Sequence, residues 1–86
     1  MHLVLVGTSH HRAPVELRER LFVSAPENPE LVRRLAGAEG EAVALSTCNR
    51  TELYVVDSDP EAAQARAFAE LAALGDMTES EIAPSL

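Results

Sequence analysis

Cys48 is the only cysteine among the 86 residues. It stands in Ser46-Thr47-Cys48-Asn49-Arg50-Thr51-Glu52, directly behind the apolar run Val43-Ala44-Leu45. A strand that ends in small polar groups, a thiol and an arginine presents a nucleophile at a sheet edge beside a fixed positive charge. The guanidinium of Arg50 stays protonated, so it can favour the thiolate and hold an anionic group of a substrate. Against this stands the plainer chemistry of a lone cysteine, which is more often a small buried hydrophobe. The polar strand-end setting strengthens the nucleophile without excluding burial. His10 and His11 offer two further roles, as a base for Cys48 or as partners with it around a metal. One cysteine and two adjacent histidines do not match zinc spacings, so no metal is expected. For His10, a hydrogen-bonded structural role is favoured over direct proton transfer, and both stay open.

These residues need elements to hold them. Leu3-Val4-Leu5-Val6 is a continuous apolar run closed by Gly7-Thr8-Ser9, which reads as a buried strand. Pro14 suits the first turn of a helix carrying Leu17 and Leu21 on one face, and Ser24-Ala25-Pro26 breaks it. Asn28 is expected to cap a second helix with Pro29 at its first position, Leu31 and Leu35 facing inward, and Gly37 ending it. Ala42 to Leu45 and Thr51 to Val56 read as two strands of an antiparallel hairpin, joined by a loop of about four residues that includes the cysteine. Thr51, Leu53 and Val55 alternate onto one face, with Glu52, Tyr54 and Val56 on the other. Asp59 caps the longest helix, Pro60 opens it and Gly75 closes it. Thr78-Glu79-Ser80-Glu81 fits a capping box, and Pro84 stops the turn that it starts.

The order β-α-α-β-β-α predicts an α+β, ferredoxin-like fold. An antiparallel sheet carries its helices on one face, and the last strand is expected to be missing. Right-handed crossover makes the first two strands parallel with the third between them. Their C-terminal ends then share one rim. That rim gathers the His10-His11 segment and Thr47-Cys48-Asn49-Arg50, about 10 Å apart at two strand spacings.

Composition narrows the function. The chain is 47% hydrophobic but only 3% aromatic, so leucine, valine and alanine must do most of the packing. A domain this small buries only about 60–65% of its unfolded surface, which leaves a thin core. Net charge is −7 and all seven basic residues are arginine. Such an acidic domain is unsuited to coating nucleic acid, though a few converging arginines are compatible with contact to one RNA end. No apolar run approaches the roughly 20 residues that span a bilayer, and no secretory signal is recognisable. A single cysteine excludes an internal disulfide and fits a reducing cytoplasm, where the protein is expected.

Two segments resemble one family. Gly7-Thr8-Ser9-His10-His11-Arg12-Ala13-Pro14-Val15-Glu16-Leu17-Arg18-Glu19 resembles the Gly-x-x-His-x-x-Ala-Pro-x-x-x-Arg-Glu opening of glutamyl-tRNA reductases. Leu45 to Glu52 is similar to that family's catalytic segment Ser-Thr-Cys-Asn-Arg-Thr-Glu. The spacing fits as well, and the resemblance covers essentially the whole chain as a single N-terminal catalytic domain, residues 1–86. It implies an NADPH-dependent enzyme that reduces the glutamyl group of Glu-tRNA to glutamate-1-semialdehyde for tetrapyrrole synthesis. Cys48 would form a thioester and release tRNA. By the same resemblance Thr47, Asn49 and Arg50 would line the glutamate pocket, with Arg50 pairing to a carboxylate. The family chain is several times longer, and the resemblance places NADPH binding and homodimerisation in parts beyond this segment. Nothing here resembles a Gly-x-Gly-x-x-Gly turn, so the chain is expected to be a fragment that holds the nucleophile but lacks the reduction. The rival is a non-enzymatic ferredoxin-like module that binds a ligand or partner, with Cys48 structural and buried.

Overall fold

The structure, a computed structural model, describes residues 2–9, 14–37, 40–47 and 50–86. Along the chain run β1 (His2–Ser9), α1 (Val15–Arg20), α2 (Asn28–Ala36), β2 (Glu41–Ser46), β3 (Arg50–Asp57), α3 (Pro60–Gly75) and α4 (Glu79–Ile82). A 3-10 turn over Ala83–Ser85 follows. The three strands lie in the order β1-β3-β2, and both outer strands are antiparallel to β3. β1 and β2 therefore run parallel on either side of it, as the α+β ferredoxin-like reading expects. No described helix is long and apolar enough to cross a membrane.

Period-2 alternation decides which strand residues enter the core. Val6 from β1 and Leu53 and Val55 from β3 are buried with Leu17, Leu31, Leu35 and Leu71 from the helices and Leu21 from the turn after α1. The inner face of α3 presents Ala63 and Ala67, both fully buried, and side chains this small let the helix lie close to β1 and β3. The opposite sheet face differs from the expectation of a buried first strand. Leu3 and Leu5 are 68% and 54% exposed, and Val43 and Leu45 on β2 are 60% and 44% exposed. The run Leu3 to Val6 is continuous in sequence but divides between two faces, and no described element covers the outer one.

Local chemistry fixes the helix ends. Asp59 caps α3 by accepting from the Ala62 N–H at 3.1 Å, with Pro60 at the first turn. Thr78 and Glu81 form the reciprocal capping box at the start of α4. One expectation is corrected. Asn28 is the first residue of α2 and not its cap, because the preceding turn already bonds Glu27 and Asn28 N–H groups to the Ser24 carbonyl. The Asn28 amide instead donates to the Ala44 carbonyl of β2 at 3.1 Å. Gly75 is the last residue of α3, as read, and Asp76 after it takes the left-handed cap position at φ 53°. An aspartate tolerates that conformation. A Cβ at Gly75 would lie 3.1 Å from Leu21 Cδ2 and 3.4 Å from Met77 Sδ, so these two side chains pack closely over the helix end.

Asp57, at the end of β3, receives Arg66 Nη2 at 2.6 Å, and Arg66 Nε donates to the Leu35 carbonyl at 3.1 Å. One guanidinium thus ties β3, α2 and α3 together. That hydrogen bond, followed by the Asp59 N–H, holds the Asp57 carboxyl below the ordinary carboxylate range. A carboxyl whose folded pKa is depressed adds stability above its unfolded value and loses it as pH falls through the folded one. The melting temperature of this chain is therefore expected to fall on acidification below about pH 4, and the Asp57→Asn variant to fall less steeply. Glu30 and Glu81 are also held low, so some acid sensitivity persists in the variant. Identical pH slopes for the two proteins would rule out this role for Asp57.

Candidate functional site

The register builds the rim. Ser9 pairs with Arg50, Thr8 with Thr51 and Gly7 with Glu52 on one side of β3; Ser46 pairs with Thr51 and Leu45 with Glu52 on the other. The C-terminal ends of β1 and β2 and the start of β3 thus lie on one edge, with the outer strands two spacings apart, about 10 Å. Beyond the strands, the Thr47 N–H donates to the Arg50 carbonyl at 2.8 Å. Backbone bonding therefore continues one step past β2, and residues 47–49 separate the two strands where about four were expected. Polar Ser46 and Arg50 hide from an apolar-run reading yet extend both strands. Thr47 and Arg50, two of the residues singled out from sequence, are brought together across the end of the hairpin, and both are exposed. Cys48, Asn49, His10 and His11 lie outside the described residues.

Beneath the hairpin end is a polar relay that sequence reasoning missed. The Val23 N–H donates to Ser46 Oγ at 3.0 Å, Ser46 and Thr51 hydroxyls meet at 2.8 Å, and Thr51 Oγ1 donates to the Leu21 carbonyl at 3.0 Å. Proton bookkeeping gives one direction. Thr51 spends its hydrogen on Leu21, so Ser46 donates to Thr51 and accepts from Val23. The segment after α1, which has no regular structure of its own, is tied by this chain to the base of the Cys48 hairpin. The signal was present in the alternation, since a threonine in phase with Leu53 and Val55 must be buried, and a buried hydroxyl needs a partner. Thr8, also buried, finds its partner in the Ser85 carbonyl at 2.5 Å.

The outer face near the rim carries charge. Arg50, Glu52 and Tyr54 share the phase of β3 that points away from the helices, and Arg50 Nη1 lies 3.6 Å from Glu52 Oε1. Tyr54 follows Glu52 on that face, and its phenol is held above the ordinary range by desolvation first, then by the neighbouring Glu52 carboxylate. Gly7, directly across from Glu52, leaves room for this carboxylate: a Cβ there would come 3.1 Å from Glu52 Cγ and 2.6 Å from the Thr51 carbonyl oxygen. Beside it, an open groove along β1 is lined by Leu5, Gly7, Glu52, Gln64, Phe68 and Leu86. Among the described residues no three His, Cys, Asp or Glu groups gather as metal ligands. The arrangement offers an exposed cation two residues beyond Cys48, a carboxylate that holds it, and a rigid hydrogen-bonded base.

Residues 6–86 match the family model of the glutamyl-tRNA(Glu) reductase N-terminal domain. Curated relatives named glutamyl-tRNA reductase include that of Chlorobaculum parvum, 49% identical over 63 residues, which is 71% of this chain and 15% of the relative. The Myxococcus xanthus protein is 43% identical over 75 residues, 87% of this chain and 17% of the relative. The Neisseria gonorrhoeae protein is 52% identical over 63 residues, 71% of this chain and 15% of the relative. The matched residues thus span about a sixth of these relatives' length.

Proposed function

Because this chain belongs to the glutamyl-tRNA reductase N-terminal domain family, we propose that residues 1–86 carry the nucleophile of such a reductase and part of its glutamyl-binding surface. The Cys48 thiolate attacks the carbonyl carbon of the ester that joins glutamate to tRNA. A C–S bond forms, the C–O bond to the terminal ribose breaks, the departing oxygen takes a proton, and tRNA leaves behind a glutamyl thioester. Arg50 pairs with a substrate carboxylate and favours the thiolate, Thr47 and Asn49 line the glutamyl pocket, and His10 holds the rim. The observation that carries this reading is the hairpin register, which sets Arg50 opposite Thr47 with the nucleophile segment between them.

A thioester has less resonance stabilisation than an ester and is the better hydride acceptor, which explains why a reductase would form one. The chain itself does not fit NADPH. Its four glycines, at 7, 37, 40 and 75, nowhere give a dinucleotide turn, and β1 and β2 are separated by antiparallel β3, so no crevice between adjacent parallel strands exists among the described residues. Reduction to glutamate-1-semialdehyde, entry into tetrapyrrole synthesis and homodimerisation are accordingly assigned to a full-length cytoplasmic reductase and not to these residues alone. The test is a trapping experiment. A full-length reductase carrying this domain is mixed with tRNA bearing labelled glutamate, with NADPH withheld. The label is expected on protein, stable to acid, released by hydroxylamine and mapped to Cys48. Label that stays on tRNA, or maps to another residue, rejects the proposal.

A further inference from the structure

Glu52 has no part in the chemistry above, yet its surroundings are specific. On the outer sheet face its neighbours across the strands are Gly7 and Leu45, which bring no charge. Its carboxylate is mostly covered, while the Arg50 side chain it meets is about half exposed. Along β3 it stands between Tyr54 and Arg50, with Arg50 Nη1 3.6 Å from its carboxylate, and Gly7 leaves open the floor on which the side chain lies. From this placement we infer that Glu52 is a positioning residue: it fixes the Arg50 guanidinium over the outer face of the hairpin end before substrate arrives. This rests on the carboxylate-binding role proposed for Arg50.

An arginine at an exposed strand end samples many rotamers, and ordering it on binding costs affinity that prior anchoring avoids. Glu52 engages Nη1, which leaves N–H donors on Nη2 and Nε for a bidentate carboxylate contact. The anchor is itself anchored. Gly7 shapes its seat, since a Cβ there would press on the Thr51 carbonyl at 2.6 Å and crowd Glu52 Cγ at 3.1 Å. A purely structural Glu52 would be felt equally whatever stands at position 50. A positioning Glu52 acts only through Arg50, so the two readings differ in a double-mutant cycle.

The experiment measures kcat and KM for glutamyl-tRNA in a full-length reductase carrying this domain. Glu52→Gln is expected to raise KM about fivefold and leave kcat within about twofold, since an ordered cation serves binding of the glutamyl group more than the acyl transfer. Arg50→Ala is expected to raise KM further, and the double variant to match Arg50→Ala alone. An unchanged KM in Glu52→Gln overturns the inference, as does an effect of Glu52→Gln that persists in full without Arg50. An unchanged KM in Arg50→Ala overturns the reading beneath it, and the two failures are thereby told apart. Should Glu52→Gln fail to fold, Glu52→Asp keeps the charge but draws the carboxylate back from Arg50 by one methylene. Its KM is expected to rise about twofold, and only where Arg50 is present. No change in that variant overturns the inference equally.

Discussion

Replacing Cys48 with serine in a full-length reductase is expected to reduce turnover of glutamyl-tRNA by at least about a thousandfold while the domain stays folded. Sulfur matters here for two separate reasons. A thiol beside a fixed cation reaches its anionic, attacking form near neutral pH, whereas a serine hydroxyl needs a strong adjacent base. A serine would also form an oxygen ester, which is no better a hydride acceptor than the ester it replaced, so even a slow acyl transfer leads nowhere. The comparison requires turnover of both proteins together with circular dichroism and thermal melting. The melts are expected to lie close together, because serine keeps the branching of cysteine and adds no atoms. A serine variant that keeps turnover within about tenfold of the parent would falsify the nucleophile assignment.

The second large effect is on stability. Thr51→Val keeps the shape of the side chain and removes the hydroxyl that links Ser46 to the Leu21 carbonyl. Leu21 is fully buried, so its carbonyl left behind does not regain water, while half-buried Ser46 keeps the bond from Val23. Leaving buried polar groups unpaired costs about 1–3 kcal/mol. In a chain of this size each kcal/mol lowers the melting temperature by roughly 4–8 °C. Thr51→Ser, which retains the hydroxyl, is expected to melt closer to the parent. If valine melts with the parent and serine below it, the methyl group matters and the relay does not. Activity offers a second reading of the same pair. The relay joins the segment after α1 to the base of the hairpin, so the valine variant is expected to lose turnover at temperatures well below its melting point.

How much of this was legible depends on the kind of signal each residue carries. Asp59-Pro60 and Thr78 with Glu81 announce helix starts through local hydrogen bonding, and both form as read. The order of elements follows from runs of leucine, valine and alanine, and the sheet order β1-β3-β2 follows from that order plus crossover handedness. Strand ends were harder. Ser9, Ser46 and Arg50 are strand residues whose polarity looks like loop, because their pairing is backbone chemistry that side chains do not advertise. The cap of α2 was misread because Asn28 found a tertiary partner in Ala44, and tertiary bonds override local preference. The site divides the same way. Arg50 was named from its neighbours in sequence. Glu52, Tyr54 and Gly7 come together only once the register is known. The Ser46–Thr51 relay likewise needs Leu21 and Val23, which lie some thirty and twenty residues earlier in the chain.

The uncovered side of the sheet governs how the isolated polypeptide behaves in a tube. Leu3, Leu5, Val43 and Leu45 stand on one surface with Tyr54 and Val56 in the same phase of the middle strand. Antiparallel sheets that meet water usually alternate polar residues outward, and this one does so only where Glu41, Arg50 and Glu52 interrupt it. A surface of that character adheres to resins, to air–water interfaces and to copies of itself. Light scattering from the 86-residue polypeptide will accordingly rise with concentration and ease with mild detergent, and the seven excess negative charges set how far dilution alone can keep it dispersed.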